Sequence, residues 1–183
     1  MVRTRSSLLA VLVLVGARVD VIAAQGRWSA NLSIGYTQNA GAIQDFESSG
    51  GGSVAGGASF AANHHLAFGL RLGWHRAGSG MAPLGEEVST TIGELSANAC
   101  LRSPLKSLRL DACAGAGPYL YHHSPGSTVS NDDIFGGWNV AIVVDRPSAL
   151  GSWGIGAEAA YHAIPNLGPA NRLVILGLRL TLH

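Results

Sequence analysis

Two cysteines, seven histidines and a few isolated charges are the residues whose types could do chemistry in this chain of 183 residues. The charges are Arg71, Glu94, Arg102, Arg109, Asp111, Glu158 and Arg179, each standing in a stretch that is otherwise small or apolar. An isolated charge in a low-dielectric interior is costly, so these are expected to be paired. Midpoints of the intervening turns set Arg71 against Glu94, Arg102 against Asp111, and Glu158 against Arg179. Arg102–Asp111 and Cys100–Cys113 fold about the same midpoint, so one register serves both pairs. Facing Cβ atoms on paired strands lie close enough for a disulfide. That reading stands against two reduced, buried thiols.

The histidines point nowhere definite. His64-His65 falls in a turn, and the neighbouring side chains of His122-His123 diverge. No spacing matches a zinc site with three ligands, so neither metal nor cofactor is expected. Acidic residues gather between the apolar stretches at Asp45, Glu47, Glu86, Glu87, Asp132 and Asp133. They suit divalent cations, repulsion of lipid phosphates, or plain solubility.

The elements that position these residues follow a period of two. In HLAFGLRLGWH (65–75), Leu66, Phe68, Leu70, Leu72 and Trp74 alternate with Ala67, Gly69, Arg71 and Gly73. Such a stretch is a strand with unlike faces. The pattern recurs at 27–37, 52–62, 88–101, 108–121, 133–145, 153–163 and 172–182. Eight strands are expected, each near the ~9–11 residues of a tilted strand that crosses a bilayer. Long gaps alternate with short ones, as in an up-and-down barrel with loops outside and turns in the periplasm.

Composition fixes which face looks inward. Charged residues make up 13% of the chain, against roughly 25% in soluble domains. The small face of Ala, Gly, Ser and Asn is a poor coat against water but fits a crowded bore. The large apolar face therefore looks at lipid. Trp28, Tyr36, Trp74, Trp138, Trp153 and Tyr161 all fall in that outward phase, where amphipathic rings suit two headgroup-level girdles.

The net charge is +1, with Lys106 the one lysine and no basic stripe, which argues against nucleic-acid binding. The N-terminus joins a basic MVRTR to apolar SLLAVLVLVGA and small Ala23 and Ala24. That is the pattern of an export signal. Residues 1–24 are read as a signal peptide and 25–183 as an all-β, eight-stranded antiparallel transmembrane β-barrel.

The mature chain resembles the small eight-stranded outer-membrane barrels of Gram-negative bacteria, the OmpA-like and OmpX-like group. The stretches carrying the likeness are the alternating strands, such as WGIGAEAAYH and the terminal LVILGLRLTLH. The resemblance implies location in the outer membrane, contact with its lipids and lipopolysaccharide, and insertion by the barrel-assembly machinery. It also implies a structural, adhesive or surface-interaction role around a closed, charged interior; no surface ligand is identified. One departure is His183, where members typically end in an aromatic residue.

Two alternatives remain. A narrow path for ions or small solutes is one, since the interior charges could gate as well as fill. The other is a barrel enzyme of the lipid A deacylase kind, which carries a His-x-Ser pair. His122-His123-Ser124 has that spacing, yet YHAIPNLGPAN keeps His162 and has Ile164 where the family's Ser would stand. The expectation is a protein without enzymatic activity.

Overall fold

The computed structural model describes residues 27–40, 50–81, 87–105, 107–125, 131–150, 152–165 and 172–183. The expected signal peptide, the acids Asp45, Glu47 and Glu86, and Lys106 lie outside these residues. So do the side chains of Glu87, His123, Ser124 and Asp132. The strands are β1 (Trp28–Asn39), β2 (Gly51–Ala61), β3 (Leu66–Met81), β4 (Glu87–Leu105), β5 (Leu108–Pro125), β6 (Asn131–Leu150), β7 (Trp153–Ala163) and β8 (Arg172–Leu182). Every neighbour in sequence is a neighbour in the sheet, all pairs are antiparallel, and β8 closes on β1. Closure leaves no open edge, as hydrocarbon demands of a spanning sheet.

Strands β3 to β6 are longer than the alternation suggests. The ladder between β4 and β5 runs through Pro104↔Arg109 to Leu105↔Leu108, and β5 ends at Pro125. The prolines of RSPLKS and HHSPG read as turn signals. They lack an N–H to donate but keep a strand-compatible φ, so the chain carries them inside extended ladders. The short connection between β2 and β3 is a tight turn in which the Asn63 side chain accepts from the His65 N–H (2.8 Å).

The faces divide sharply. Leu70, Leu72, Leu101, Ile134 and Leu178 each expose more than 60% of their surface outward. On the other phase, Thr37, His75, Glu94, Asp145, Glu158, His162 and Thr181 are buried in the bore. In water this exposure would be prohibitive; against acyl chains it has no cost. Trp28 and Trp153 open β1 and β7 at the end of the short connections, and both are exposed. Tyr36, Trp74 and Trp138 are exposed farther along their strands, and Tyr161 packs on Trp138 with ring centroids 5.7 Å apart. At the β1–β8 seam the backbones approach so closely that a Cβ on Gly35 would lie 2.7 Å from Gly177 Cα.

The bore is filled in layers. Toward the long connections Ala77, Ile92, Tyr119, Ile164 and Leu173 form an apolar plug, flanked by Tyr121 and Phe135. Ile175 and Tyr119 are buried in the inward phase that the alternation assigns them, and Ile92 and Leu173 add further large residues to a face that otherwise reads small or charged. Below the plug the filling is polar and charged.

Candidate functional site

The bore itself is the candidate site. Eight strands enclose a space just wide enough for side chains, so residues from opposite walls meet. Arg71 on β3 donates from its Nη1 toward Glu158 on β7 (2.6 Å) and from Nε to Glu94 on β4 (3.2 Å). Strands β3 and β7 are four apart in the ring of eight, so the Arg71–Glu158 pair spans the full bore. Arg179 on β8 completes this tier by donating to Glu158 (3.3 Å).

A second tier lies toward the short connections. Asp111 sits between Arg102 (3.6 Å) and Arg109 (3.3 Å), and Arg109 also donates to Asp145 (2.7 Å). The terminal His183 places its Nε2 3.6 Å from the same Asp145 carboxylate. Arg102 reaches over β3 to the Ser59 hydroxyl on β2 (3.3 Å). Together the tiers hold Arg71, Arg102, Arg109 and Arg179 against Glu94, Asp111, Asp145 and Glu158, four charges of each sign. Neutrality is what a buried ionic filling requires. Between the tiers a cavity of about 50 Å³ lies among Asn98, Arg102, Asp111, Asn139 and Arg179. That is room for a few waters.

The structure brings together all seven ionisable residues singled out in the sequence, with two changes of register. Glu94 stands opposite Gly73, two residues from the expected partner Arg71, and Glu158 stands opposite Gly177 with Arg179 opposite Gly156. The β3–β4 ladder closes at Met81↔Glu87, about a later midpoint than the sequence suggests, and the bulge at Ala77 takes back only one step of that offset. Arginine's reach makes the ion pairs diagonal instead. Arg102 and Asp111 do face each other, as do Cys100 and Cys113, whose Cα atoms are 4.0 Å apart and whose sulfurs are bonded.

Asp145 was missed because it closes its expected strand. The imbalance it leaves, four arginines against three carboxylates, was the signal that one more acid faced inward. A larger omission is the group above Glu94. His75 donates or accepts at Ser53 Oγ through Nδ1 (2.8 Å), and its Nε2 lies 3.1 Å from Glu94 Oε2. Ser96 (2.6 Å) and the Asn139 amide (3.1 Å) donate to Glu94 Oε1. His162 lies with Nδ1 3.0 Å from Tyr119 OH and 3.8 Å from Glu94 Oε2. Side chains of β3, β4, β6 and β7 thus reach one carboxylate, with Ser53 of β2 and Tyr119 of β5 behind them. Histidines drawn from β3 and β7 leave no local motif, so spacing along the chain is silent about them. Among the described residues, the ligand atoms of His75, Glu94 and His162 lie within 4.8 Å of one another, a grouping that histidine spacing along the chain does not show.

Fold and bore define a class: a closed eight-stranded barrel that turns hydrocarbon outward and neutral ion-pair tiers inward is a transmembrane β-barrel of the outer-membrane type. No family model matches the chain, and no curated protein matches it. Solved structures do. The chain is similar to Neisserial surface protein A, NspA (TM-score 0.65, 13% identity, covering 86% of this chain and 96% of that one). It is similar to Ail, the attachment invasion locus protein of Yersinia pestis, in complex with the heparin analogue sucrose octasulfate (TM-score 0.56, 12% identity, 85% and 98% covered). It is also similar to the N-terminal β-barrel domain of Pseudomonas aeruginosa OprF (TM-score 0.53, 11% identity, 85% and 96% covered). The chain thus has the fold of the small eight-stranded outer-membrane barrels.

Proposed function

We propose that the protein resides in the outer membrane of a Gram-negative envelope and acts there as a structural or surface-interaction barrel. The observation that carries this reading is the wall-to-wall Arg71–Glu158 bridge beneath an apolar plug, which leaves no work for the bore as a conduit. Function then belongs to the end of the long connections, where the β3–β4, β4–β5 and β5–β6 ladders continue as far as Met81↔Glu87, Val88↔Pro125 and His123↔Asn131. Four extended strands there offer a raised edge for a partner. The acids Asp45, Glu47 and Glu86 of the connections, with Glu87 on β4 and Asp132 and Asp133 on β6, favour a cationic or neutral partner over a polyanion. Outer-membrane lipids, lipopolysaccharide and the barrel-assembly machinery are the partners this location entails.

The protein is read as non-enzymatic. His162, the histidine retained from the deacylase-like stretch, is turned into the bore, and Ile164 beside it is buried in the plug, away from any lipid ester. Release of fatty acid from lipopolysaccharide by the purified barrel would refute that. The location is tested by outer-membrane fractionation with heat-modifiable gel mobility, and by labelling a cysteine placed at Asp133 on intact cells. Recovery in the soluble fraction, or labelling only after lysis, would overturn the reading.

A narrow pore is the second reading, favoured by the cavity between the tiers, which has room for a few waters. In planar bilayers the expected result is no sustained open state. A steady conductance would establish the pore.

A further inference from the structure

We propose that His75, Glu94 and His162 form an interior binding site for a divalent transition-metal cation, with zinc(II) as the ion whose chemistry fits. Two imidazoles and a carboxylate are a common zinc ligand set that leaves a fourth position open. Zinc takes nitrogen and oxygen at about 2.0–2.2 Å, so a tetrahedral ion needs donor atoms roughly 3.3–3.5 Å apart. Here Glu94 Oε2 is 3.1 Å from His75 Nε2 and 3.8 Å from His162 Nδ1, and the three donor atoms lie within 4.8 Å of one another. Shifts well under an ångström per side chain would close the set.

The protons can be arranged at the cost of one hydrogen bond, that between the Tyr119 hydroxyl and His162 Nδ1. Ser53 Oγ can donate to His75 Nδ1 or accept from it, so a tautomer change frees Nε2 and keeps the 2.8 Å hydrogen bond. A histidine ligand held through its second nitrogen is the usual outer-shell arrangement of such sites. His162 Nε2 is buried with no hydrogen-bond partner. The proton can reside there, leaving a lone pair on Nδ1 toward Glu94. Ser96 and Asn139 hold the other Glu94 oxygen and fix the carboxylate. Tyr119 OH, 3.0 Å from His162 Nδ1, stands near the fourth position.

Two further features favour a ligand site over simple packing. Gly73 keeps the space between His75 and Glu94 open: a Cβ there would lie 2.8 Å from Glu94 Oε2 and 2.5 Å from His75 Nε2. Arg71, the cation that now shares Glu94 Oε2, has a shorter contact to Glu158 (2.6 Å against 3.2 Å) and can release Glu94 without losing a counter-ion. The apolar plug closes the site toward the long connections.

The test uses the full mature barrel without a histidine tag, folded into detergent from chelator-treated buffer with Co²⁺ or Zn²⁺ present. Equilibrium dialysis and the visible spectrum of Co²⁺ read occupancy and geometry. The expected result is one ion per folded barrel, a four-coordinate Co²⁺ band, and displacement by Zn²⁺. Glu94→Gln and His162→Gln should each weaken binding at least ~100-fold, following the scale of outer-shell losses. His64→Gln, in an exposed turn, should leave it unchanged. Arg71→Met should tighten it several-fold by removing a competing cation, an effect that a purely structural role would not produce. Should the ligand variants fail to fold, X-ray absorption of the zinc-loaded wild type decides, with two imidazoles expected in the shell. Absence of stoichiometric binding, binding that survives both ligand variants, or a shell with fewer than two imidazoles would overturn the site.

Discussion

Glu158 is where the tiered filling makes its sharpest energetic prediction. Its side chain is 2% exposed and holds two arginines, Arg71 at 2.6 Å and Arg179 at 3.3 Å, each 12% exposed. In Glu158→Ala, Arg71 keeps Glu94. Among the described residues Arg179 keeps a 3.4 Å hydrogen bond to the uncharged Thr181 hydroxyl and the more distant charge of Asp145. Breaking a buried pair from one side leaves an uncompensated charge and costs about 3–5 kcal/mol. Removing the other partner is milder. In Arg179→Met, Glu158 remains paired with Arg71, and a loss of about 1–2 kcal/mol is expected, mostly from one charge-assisted hydrogen bond. The double variant should therefore be more stable than Glu158→Ala alone, by roughly 1–3 kcal/mol, because the orphaned arginine is gone. Urea titration in lipid vesicles, followed by tryptophan emission and by heat-modifiable mobility, measures all three. The reasoning fails if Glu158→Ala costs under ~1 kcal/mol, or if the double variant is no more stable than that single one.

Three other perturbations follow from the same structure. Leu178→Arg, on the outward face of β8 near mid-strand, should cost about 2–4 kcal/mol in vesicles; a neutral result would mean that this face does not meet hydrocarbon. Replacing Cys100 and Cys113 by Ser removes a cross-link between residues 13 apart, with an expected loss of about 2–3 kcal/mol, read as a lowered urea midpoint that reductant reproduces in the wild type. Gly35→Val should block closure of the β1–β8 seam, since a Cβ there meets the backbone of Leu176 and Gly177; the readout is loss of the heat-modifiable compact band, and a normal band would refute the close approach.

Much of this architecture was legible in the chain because a barrel in lipid obeys a simple rule: period two, with the hydrocarbon side outward. Leu66 to Trp74 and Val174 to Leu180 show it without ambiguity, and Cys100 and Cys113 followed once one hairpin register was right. What stayed hidden depends on closure. Arg71 meets Glu158 because the sheet curls until β3 faces β7, and pairing arguments between neighbouring strands never bring those two residues together. The β3–β4 ladder closes at Met81↔Glu87, later than the turn midpoint suggests, and no residue type announces that offset. The polar group around Glu94 was missed for the same reason, since His75 and His162 are contributed by different walls. Pro104 and Pro125 misled in the opposite direction, ending strands on paper that continue in the barrel.

The account rests on which face meets lipid. Spin labels placed singly along β3 and β8 and scanned for collision with oxygen and with a water-soluble nickel complex test it directly. Labels at Leu70, Leu72, Leu176 and Leu178 should collide freely with oxygen and poorly with nickel, while labels at the inward Ala67, Ala77 and Thr181 should be shielded from both. The opposite phase, or equal nickel access to Leu70 and Leu178 in a barrel that stays monomeric without detergent, would contradict the account.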